Sequence, residues 1–360
     1  MTNKFCPSPA RWLDMTIKFH RWDAVGFAIC SQCWATHECI LGEFSLQDIA
    51  EISFHDRFME LWNAERIRQI RGTWADGQVP RMCQSCPRLL ADSDPPLKES
   101  EIDDPYLRTL IDTKSTITVP RVLSLGYDPS CNLACPSCRK EHFRLVPGDE
   151  RYDLLQRFQR QFVMRLLQDA TDAHCTGYGD PFGSQLYWEL LTTITPADAP
   201  RLKWYFLTNG LGFTEKAYAQ IPTREQIAGV NVSVDAATDA TYRENRGGSW
   251  NKLLSNLEFL ADLRRGDAID KFELGFVYQA NNWREIPAFV ELAEHLGATR
   301  IILYTLLDHT GGDEHRAKCV YLAEHPDHDE AMEMVRWARE EGGIPCHVEM
   351  PNEERAGVTK

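Results

Sequence analysis

Three cysteines lie within eight residues of one another near the middle of this chain. The run is Gly126-Tyr-Asp-Pro-Ser-Cys-Asn-Leu-Ala-Cys-Pro-Ser-Cys-Arg-Lys140, which places the thiols at Cys131, Cys135 and Cys138. Thiolates at this spacing can each bind one iron of a [4Fe–4S] cube. Because no fourth cysteine follows closely, one iron would keep an open coordination position, and an open position is where chemistry can occur.

The segment before the cysteine loop, Val119-Pro-Arg-Val-Leu-Ser-Leu-Gly126, has the composition of a buried β-strand. The loop therefore lies at the carboxyl end of a strand, where α/β folds place their active sites. A zinc site would usually draw paired ligands from two separated segments and close at four. A disulfide framework is not expected in a chain of 360 residues with 12 cysteines and no secretory leader. The spacing favours an iron–sulfur cluster.

The cysteine run resembles the signature of the radical S-adenosylmethionine superfamily, which places an aromatic residue where this chain has Ser137. The resemblance implies that the open iron chelates the amino and carboxylate groups of S-adenosylmethionine. It also implies reductive cleavage to a 5′-deoxyadenosyl radical, which abstracts hydrogen from a substrate. A flavodoxin- or ferredoxin-type protein would supply the electron.

From Val119 onward, apolar strand candidates alternate with amphipathic helix candidates. The predicted strands are Arg121–Leu125, Ala173–Thr176, Leu202–Leu207, Gly229–Val234, Lys271–Tyr278 and Thr299–Tyr304. The predicted helices are Leu154–Gln168, Gln185–Thr193, Trp250–Leu263, Trp283–His295 and Asp329–Glu340. This alternation predicts an α/β fold with a parallel sheet, either doubly wound or barrel-like.

The resemblance selects a six-stranded partial (β/α) barrel of the radical S-adenosylmethionine type. It divides the chain into an auxiliary-cluster domain (1–95), a connector (96–118), the barrel (119–308) and a carboxyl-terminal extension over the barrel mouth (309–360).

Two motifs follow the second and third predicted strands. The first is Thr176-Gly-Tyr-Gly-Asp-Pro181, whose glycines let the backbone approach a ligand and whose carboxylate can accept from an ammonium group. Ordinary turn chemistry would also place Gly-Asp-Pro here. By resemblance, Gly177, Gly179 and Asp180 form the element that contacts the amino group of S-adenosylmethionine, with Asp180 replacing the usual Glu. Asn209, in Thr-Asn-Gly210, matches the family's third-strand ending and is expected to contact the cofactor.

The fourth predicted strand ends in Val230-Asn-Val-Ser-Val-Asp-Ala-Ala237, which resembles another motif of the same family. The resemblance implies that Ser233 and Arg246 bind the carboxylate of S-adenosylmethionine, and the guanidinium fork suits a carboxylate geometrically. The alternative is that Asp235 caps the next helix and that Arg246 is a solvated helix residue.

Half of the cysteines lie in the first ninety residues, at positions 6, 30, 33, 39, 83 and 86. Their layout resembles a SPASM/twitch auxiliary-cluster domain, including a helix start at Leu61-Trp-Asn63 and a closing Cys-x-x-Cys. In most members that module follows the barrel, whereas here it precedes it. We assign four ligands of a second [4Fe–4S] cluster: Cys6, Cys30, Cys83 and Cys86.

Two features keep this assignment open. Cys33 could replace Cys30, or Cys33 and Cys39 could contribute to a further cluster. The two Cys-x-x-Cys pairs that begin at Cys30 and Cys83 also match a structural zinc site.

Cys319 lies in a loop after the last predicted strand, where a thiol could donate hydrogen to a product radical. An incidental buried cysteine is the alternative. The expected reaction is oxidative modification of a peptide or protein side chain. The alternatives are epimerisation or dehydrogenation of a sugar or aminoglycoside-like small molecule, and a non-catalytic iron–sulfur or zinc scaffold.

The chain carries 53 acidic and 39 basic residues, for a net charge of −14. This balance argues against nonspecific binding to nucleic acid or to anionic membranes. No apolar run approaches the length of a membrane span, and the first residues lack a signal-peptide core. A cytoplasmic location is therefore expected, and a reducing compartment suits free thiols and an oxygen-sensitive cluster.

Overall fold

The computed structural model describes residues 11–17, 23–30, 40–84, 102–175, 179–306 and 313–349, together with the backbone of the short strand segments 4–5 and 97–98. Some residues singled out in the sequence lie outside these described residues. They are Cys6, Cys33, Cys39, Cys86 and Gly177.

The strands form one large sheet and one small one. The strands are β1 Lys4–Phe5, β2 Trp12–Ile17, β3 Ala24–Ala28, β4 Ile40–Ser45, β5 Leu97–Lys98, β6 Val122–Gly126, β7 Asp172–Cys175, β8 Lys203–Thr208, β9 Ile227–Ser233, β10 Lys271–Tyr278, β11 Arg300–Thr305 and β12 Cys346–Glu349. β1 and β5 pair with each other, and the other ten form a sheet of order β12-β11-β10-β9-β8-β7-β6-β2-β3-β4.

Strands β6 to β12 are parallel, and they lie in the sheet in the order in which they occur in the chain. Each strand–helix unit therefore adds its strand to the same edge. In a doubly wound sheet the order in which strands are added reverses direction at a switch point, whereas in a (β/α) barrel each strand is added next to the previous one. The strand order thus selects the barrel type, and a partial (β/α) barrel is consistent with it. The ends of all six predicted strands agree with β6 to β11 within two residues, while β12 was not predicted.

The α-helices follow the strands. They are α1 Leu46–Ile49, α2 Phe54–Trp62, α3 Glu65–Ala75, α4 Pro105–Thr113, α5 Glu150–Phe158, α6 Met164–Asp169, α7 Gln185–Thr193, α8 Glu215–Gln220, α9 Asp239–Arg246, α10 Trp250–Arg265, α11 Ile286–His295, α12 Asp313–Arg316 and α13 His328–Glu340. Helix α7 matches its prediction residue for residue, and a π-helical turn at Gln159–Val163 joins α5 to α6. No helix of the described residues is long and apolar enough to cross a bilayer.

The sheet continues into the segment predicted as a separate amino-terminal domain. Strand β2 pairs in parallel with β6, and β3 and β4 extend the sheet as an antiparallel meander. The buried side chains of Leu13, Phe27 and Phe54 join the same hydrophobic core as the barrel strands. Strands β2 to β4 therefore belong to the barrel's sheet, and the residues packed around them share its core. Its role as an auxiliary-cluster domain stays a prediction.

The two faces of the barrel sheet differ in polarity. One face is apolar and is covered by helices, as where Phe276 of β10 packs against Phe289 of α11, with ring centroids 4.8 Å apart. The opposite, inner face carries partly buried polar side chains at alternate positions. These include Asp14, His174, Tyr205, Asn231, Ser233, Glu273 and Tyr304. A polar inner face gives the barrel a surface on which a ligand can be bound.

The Leu61-Trp-Asn63 segment ends helix α2, so the prediction of a helix start there was wrong. The residues at the end of α2 hold the chain that leads into β6. The indole nitrogen of Trp62 donates to Thr118 Oγ1 at 2.9 Å, and Asn63 Oδ1 accepts from the Thr118 amide at 3.0 Å. The buried Arg71 donates to the carbonyl oxygens of Trp62 and Thr116. These contacts fix the start of the strand that ends in the cysteine loop.

Candidate active site

The cysteine loop begins directly after β6 and is closed on itself by Asp128. The buried carboxylate of Asp128 accepts from the amide and hydroxyl of Ser130 at 2.9 and 2.7 Å, and from the hydroxyl of Ser184 at the start of α7. Burial raises the pKa of Asp128, and these hydrogen bonds oppose the rise. Ser130 Oγ in turn accepts from the Leu145 amide at 2.9 Å, so both ends of the loop are tied to one point.

The three cysteines line one cavity of about 120 Å³ at the carboxyl ends of the strands. Residues that follow β6, β7, β8 and β9 meet there. Besides the cysteines, the lining comprises Leu133, Arg139, Gly179, Asp180, Leu207, Thr208, Asn209, Ser233 and Arg246. The structure therefore brings the cysteine loop together with five residues expected to contact a cofactor.

Of the three thiols of the loop, that of Cys135 is buried, and those of Cys131 and Cys138 are partly buried. Burial raises the pKa of Cys131 to about 11 and also raises that of Cys135. The Leu133 amide and the Asn209 side-chain amide donate to Cys131 Sγ at 3.4 and 3.8 Å. Without metal the thiols of Cys131 and Cys135 stay protonated at neutral pH, and cluster assembly must displace their protons. Hydrogen bonds to a ligating sulfur then help to set the reduction potential.

Among the described residues, no three His, Cys, Asp or Glu side chains group closely enough to hold a single metal ion. A [4Fe–4S] cube binds its three cysteines through three different irons, so it does not require them to converge on one point. The donor set of the loop is compatible with a cube.

The loop after β7 passes against the cysteine loop at Gly179. A Cβ atom at this position would lie 2.5 Å from the Asp128 carbonyl oxygen and 2.6 Å from that of Ser130. The next amide, that of Asp180, donates to the Ser130 carbonyl at 2.9 Å. Only glycine permits this approach, which fixes the spacing between the two loops.

Asp180 is buried, and its carboxylate joins the second and third strand ends. One oxygen accepts from the amides of Phe182 and Gly183, and the other accepts from the hydroxyl of Thr208 and the amide of Asn209. Four donors match the number of lone-pair sites that a carboxylate offers. In this arrangement Asp180 positions Asn209. The expected contact of Asp180 with the amino group of a bound cofactor stays a prediction.

Arg246 reaches the cavity from the end of α9 and is held there by Asp235. Its Nη1 donates to Asp235 Oδ2 at 3.0 Å, and the two side chains are only 14% and 4% exposed. Burial lowers the pKa of Arg246, but neighbouring negative charge such as that of Asp235 opposes this effect, and the pKa is raised overall, so the guanidinium stays charged. Its buried Nε has no hydrogen-bond partner among the described residues. A buried, charged donor beside the cavity fits an anionic ligand such as a carboxylate.

The alternative interpretation of this segment is wrong on both counts. Thr238, and not Asp235, caps helix α9, and Arg246 is not solvated. Asp235 adopts a left-handed backbone conformation with φ 58°, and its other carboxylate oxygen accepts from the Val277 amide at 2.7 Å. The residue therefore joins β9 to β10 while it aims Arg246.

The remaining predicted residues lie elsewhere. Cys319 is buried and is not part of the cavity lining, and its thiol faces the carbonyl oxygens of His315 and Leu306 at 3.4 and 3.9 Å. Its role as a hydrogen donor stays a prediction. Cys30 and Cys83 are half-buried. The other two proposed ligands lie outside the described residues, so the second cluster is untested.

Sequence reasoning missed several residues of the site. Asp128, Ser184 and Thr208 anchor the loops, and Arg139 and Leu207 line the cavity. The Asp-x-Ser spacing of residues 128–130 is a recognisable turn signal. The contact between Ser184 and Asp128 joins residues 56 apart, so no local pattern indicates it.

No protein-family model and no curated protein matches the sequence. Several solved structures are similar to the chain. They include radical S-adenosylmethionine enzymes. SuiB of Streptococcus suis bound to S-adenosylmethionine is 11% identical over 94% of this chain and 72% of its own, with a TM-score of 0.43. TYW1 with a lysine-pyruvate adduct is 15% identical over 62% and 72%, with a TM-score of 0.39. The anSMEcpe enzyme with bound AdoMet and Kp18Cys peptide is 15% identical over 64% of each chain, with a TM-score of 0.42. The barrel assignment rests on the strand order of this chain.

Proposed function

We propose that this chain is a radical S-adenosylmethionine enzyme. The observation that carries the proposal is the shared cavity, in which three closely spaced cysteines face a buried arginine with an unpartnered Nε. Cys131, Cys135 and Cys138 would hold a [4Fe–4S] cluster. Ser233 and Arg246 would bind the carboxylate of S-adenosylmethionine. The loop that follows β7 would contact its amino group.

The chemistry that such a cluster and cofactor supply is formation of a 5′-deoxyadenosyl radical that abstracts hydrogen from a substrate. The chain's own residues hold and orient these groups. Asp128 and Gly179 fix the cysteine loop against the next strand, and Asp235 aims Arg246. The inner face of the barrel shields the reacting groups from water.

The test is anaerobic reconstitution of the whole protein with iron and sulfide, followed by reduction with dithionite in the presence of S-adenosylmethionine. Formation of 5′-deoxyadenosine would support the proposal that the chain is a radical S-adenosylmethionine enzyme. A protein that binds the cluster but forms no 5′-deoxyadenosine would instead be the iron–sulfur scaffold.

Replacing Arg246 by methionine is expected to weaken S-adenosylmethionine binding about 10- to 100-fold, the effect of losing a hydrogen bond to a charged group. Methionine keeps the length of the apolar stem and removes the donors. Calorimetric titration of the reconstituted, unreduced protein measures the affinity.

The matched control for this substitution is Arg243→Met. Arg243 lies one turn earlier on α9, is 70% exposed and pairs with Asp239. An unchanged affinity in the Arg246 variant, or an equal loss in the Arg243 variant, would remove Arg246 from the cofactor site.

For the substrate we propose a peptide or protein side chain that undergoes oxidation. A fully ligated auxiliary cluster, with Cys6, Cys30, Cys83 and Cys86 as its ligands, would accept the electron that a substrate radical loses. The net result is removal of two hydrogens. Epimerisation is redox-neutral and needs a second hydrogen donor, for which Cys319 is the candidate.

Reaction in deuterated water separates these outcomes. We expect a product lighter by two hydrogens, because oxidation removes two electrons and two protons, and mass spectrometry of the product measures this directly. A single solvent deuterium gained at unchanged heavy-atom composition, and lost in Cys319→Ala, would instead establish an epimerase.

A further inference from the structure

A second group of polar side chains lies on the inner face of the barrel, directly below the cysteine cavity. Asn231 precedes Ser233 by two residues on β9, so it points to the same face about 7 Å away. Its cross-strand partner is Leu207, which lines the cavity. The group therefore adjoins the cavity and faces the same interior.

Only one of the two polar atoms of the Asn231 side chain has a hydrogen-bond partner among the described residues. Its Nδ2 donates to the hydroxyl oxygen of Tyr304 on β11 at 3.2 Å. Its Oδ1 is buried and has no hydrogen-bond partner among the described residues. A buried amide oxygen without a donor is unfavourable unless a ligand supplies one.

A glycine packs against this amide oxygen and leaves no side chain in front of it. Gly275 is the cross-strand partner of Ser233 on β10. A Cβ atom there would lie 3.3 Å from Asn231 Oδ1 and 3.0 Å from the Tyr304 ring. Any larger residue would therefore fill the space in front of the amide.

The group offers a ligand one acceptor, Asn231 Oδ1, beside a protonated hydroxyl. Burial and the carboxylates of Glu349 and Glu273 raise the pKa of Tyr304, so its hydroxyl stays protonated. Arg300 pairs with Glu273 at 2.7 Å, so these two charges oppose each other. The unpartnered Asn231 Oδ1 is an acceptor, and it calls for an N–H or O–H donor on the ligand.

We propose that Asn231 and Tyr304 form a recognition site for a nitrogen-bearing, hydrogen-donating group of the substrate, either a side-chain amide or an ammonium. This inference rests on the proposed function, because it takes the adjoining cavity to hold the reactive cofactor. It narrows the substrate to side chains with an N–H terminus.

Three capped amino acids serve as probes: N-acetyl methylamides of lysine, glutamine and glutamate. Calorimetric titration into the reconstituted full-length protein with S-adenosylmethionine should detect binding of the lysine and glutamine probes and none of the glutamate probe. Tighter binding of lysine identifies the ammonium form of the site, and equal or tighter binding of glutamine identifies the amide form.

Asn231→Leu removes the acceptor at similar volume and should weaken binding of both probes at least about tenfold. Tyr304→Phe keeps the ring, so it tests the same site with little risk to folding and should weaken them several-fold. Asn251→Leu, on the exposed surface of α10, should change nothing. Preferred binding of the glutamate probe, or full affinity in folded Asn231→Leu and Tyr304→Phe proteins, would overturn the inference. Formation of 5′-deoxyadenosine by the wild type is measured separately, and its absence would refute the proposed function while leaving the probe result intact.

Discussion

Simultaneous replacement of Cys131, Cys135 and Cys138 by alanine is expected to abolish the formation of 5′-deoxyadenosine. The three thiols are the cysteines that line the cavity, and they come from one loop. A cube with no protein ligand at this loop would not assemble there, so no reducible iron would stand beside the cofactor site. The expected rate is that of a sample without enzyme, measured by liquid chromatography after anaerobic reconstitution and dithionite reduction.

The same triple variant reports on the auxiliary cluster. It should retain about four iron and four sulfide per chain, the content of one cube held by four cysteines. If the triple variant instead contained zinc and no iron, the result would favour a structural zinc site in the amino-terminal segment. Cys346→Ala is the matched control, because Cys346 is a partly buried cysteine on β12, outside the cavity. Wild-type turnover in the triple variant would refute the central proposal.

The barrel was predictable because its signals are local. The strands of a parallel sheet buried between helices and the barrel interior are short apolar runs, and β10 was predicted residue for residue as Lys271–Tyr278. Helix α7 likewise begins at a serine cap, Ser184, and was predicted with the correct ends. Within the barrel, α8 and α9 were not among the predicted helices, and both are short and polar on their exposed sides.

The amino-terminal segment was less predictable because its pairing is not local. Strand β2 lies beside β6, which is more than one hundred residues away in the chain. Sequence periodicity indicates a strand but not its partner, so the cysteines of this segment suggested a separate module. The pairing depends on long-range packing, which no short motif encodes.

The residues of the site were predicted by position, but the hydrogen bonds that hold them in place were not. The spacing of the cysteines and the strand-end motifs placed Gly179, Asp180, Asn209, Ser233 and Arg246 near one another, and all five line one cavity. The hydrogen bond from Thr208 to Asp180 joins β8 to the loop after β7, and the bond from Arg246 to Asp235 joins α9 to the loop after β9. Such contacts between elements are tertiary, so they only become visible in the folded chain.

Replacing Gly179 by alanine is expected to disrupt the site from a position that carries no functional group. The added Cβ would lie 2.5 and 2.6 Å from two backbone carbonyl oxygens, those of Asp128 and Ser130. No side chain can rotate away to relieve this contact, so one of the two loops must move. Overpacking of this kind costs about 1 to 3 kcal/mol, and we expect the upper part of that range because both contacts are to backbone.

Movement of either loop would also break the hydrogen bond from the Asp180 amide to Ser130 and would shift the cysteines relative to Arg246. Gly179→Ala should therefore lower the urea midpoint of the reduced apo-protein and reduce iron incorporation at the loop. Gly72→Ala is the control substitution, and it is expected to change stability in the opposite direction. Gly72 lies within α3, and among the described residues its Cβ would meet only Thr116, at 3.6 Å. Alanine there should stabilise the chain by about 0.5 to 1 kcal/mol. Equal midpoints for wild type and Gly179→Ala, with full iron loading, would show that the two loops do not meet as closely as the site requires.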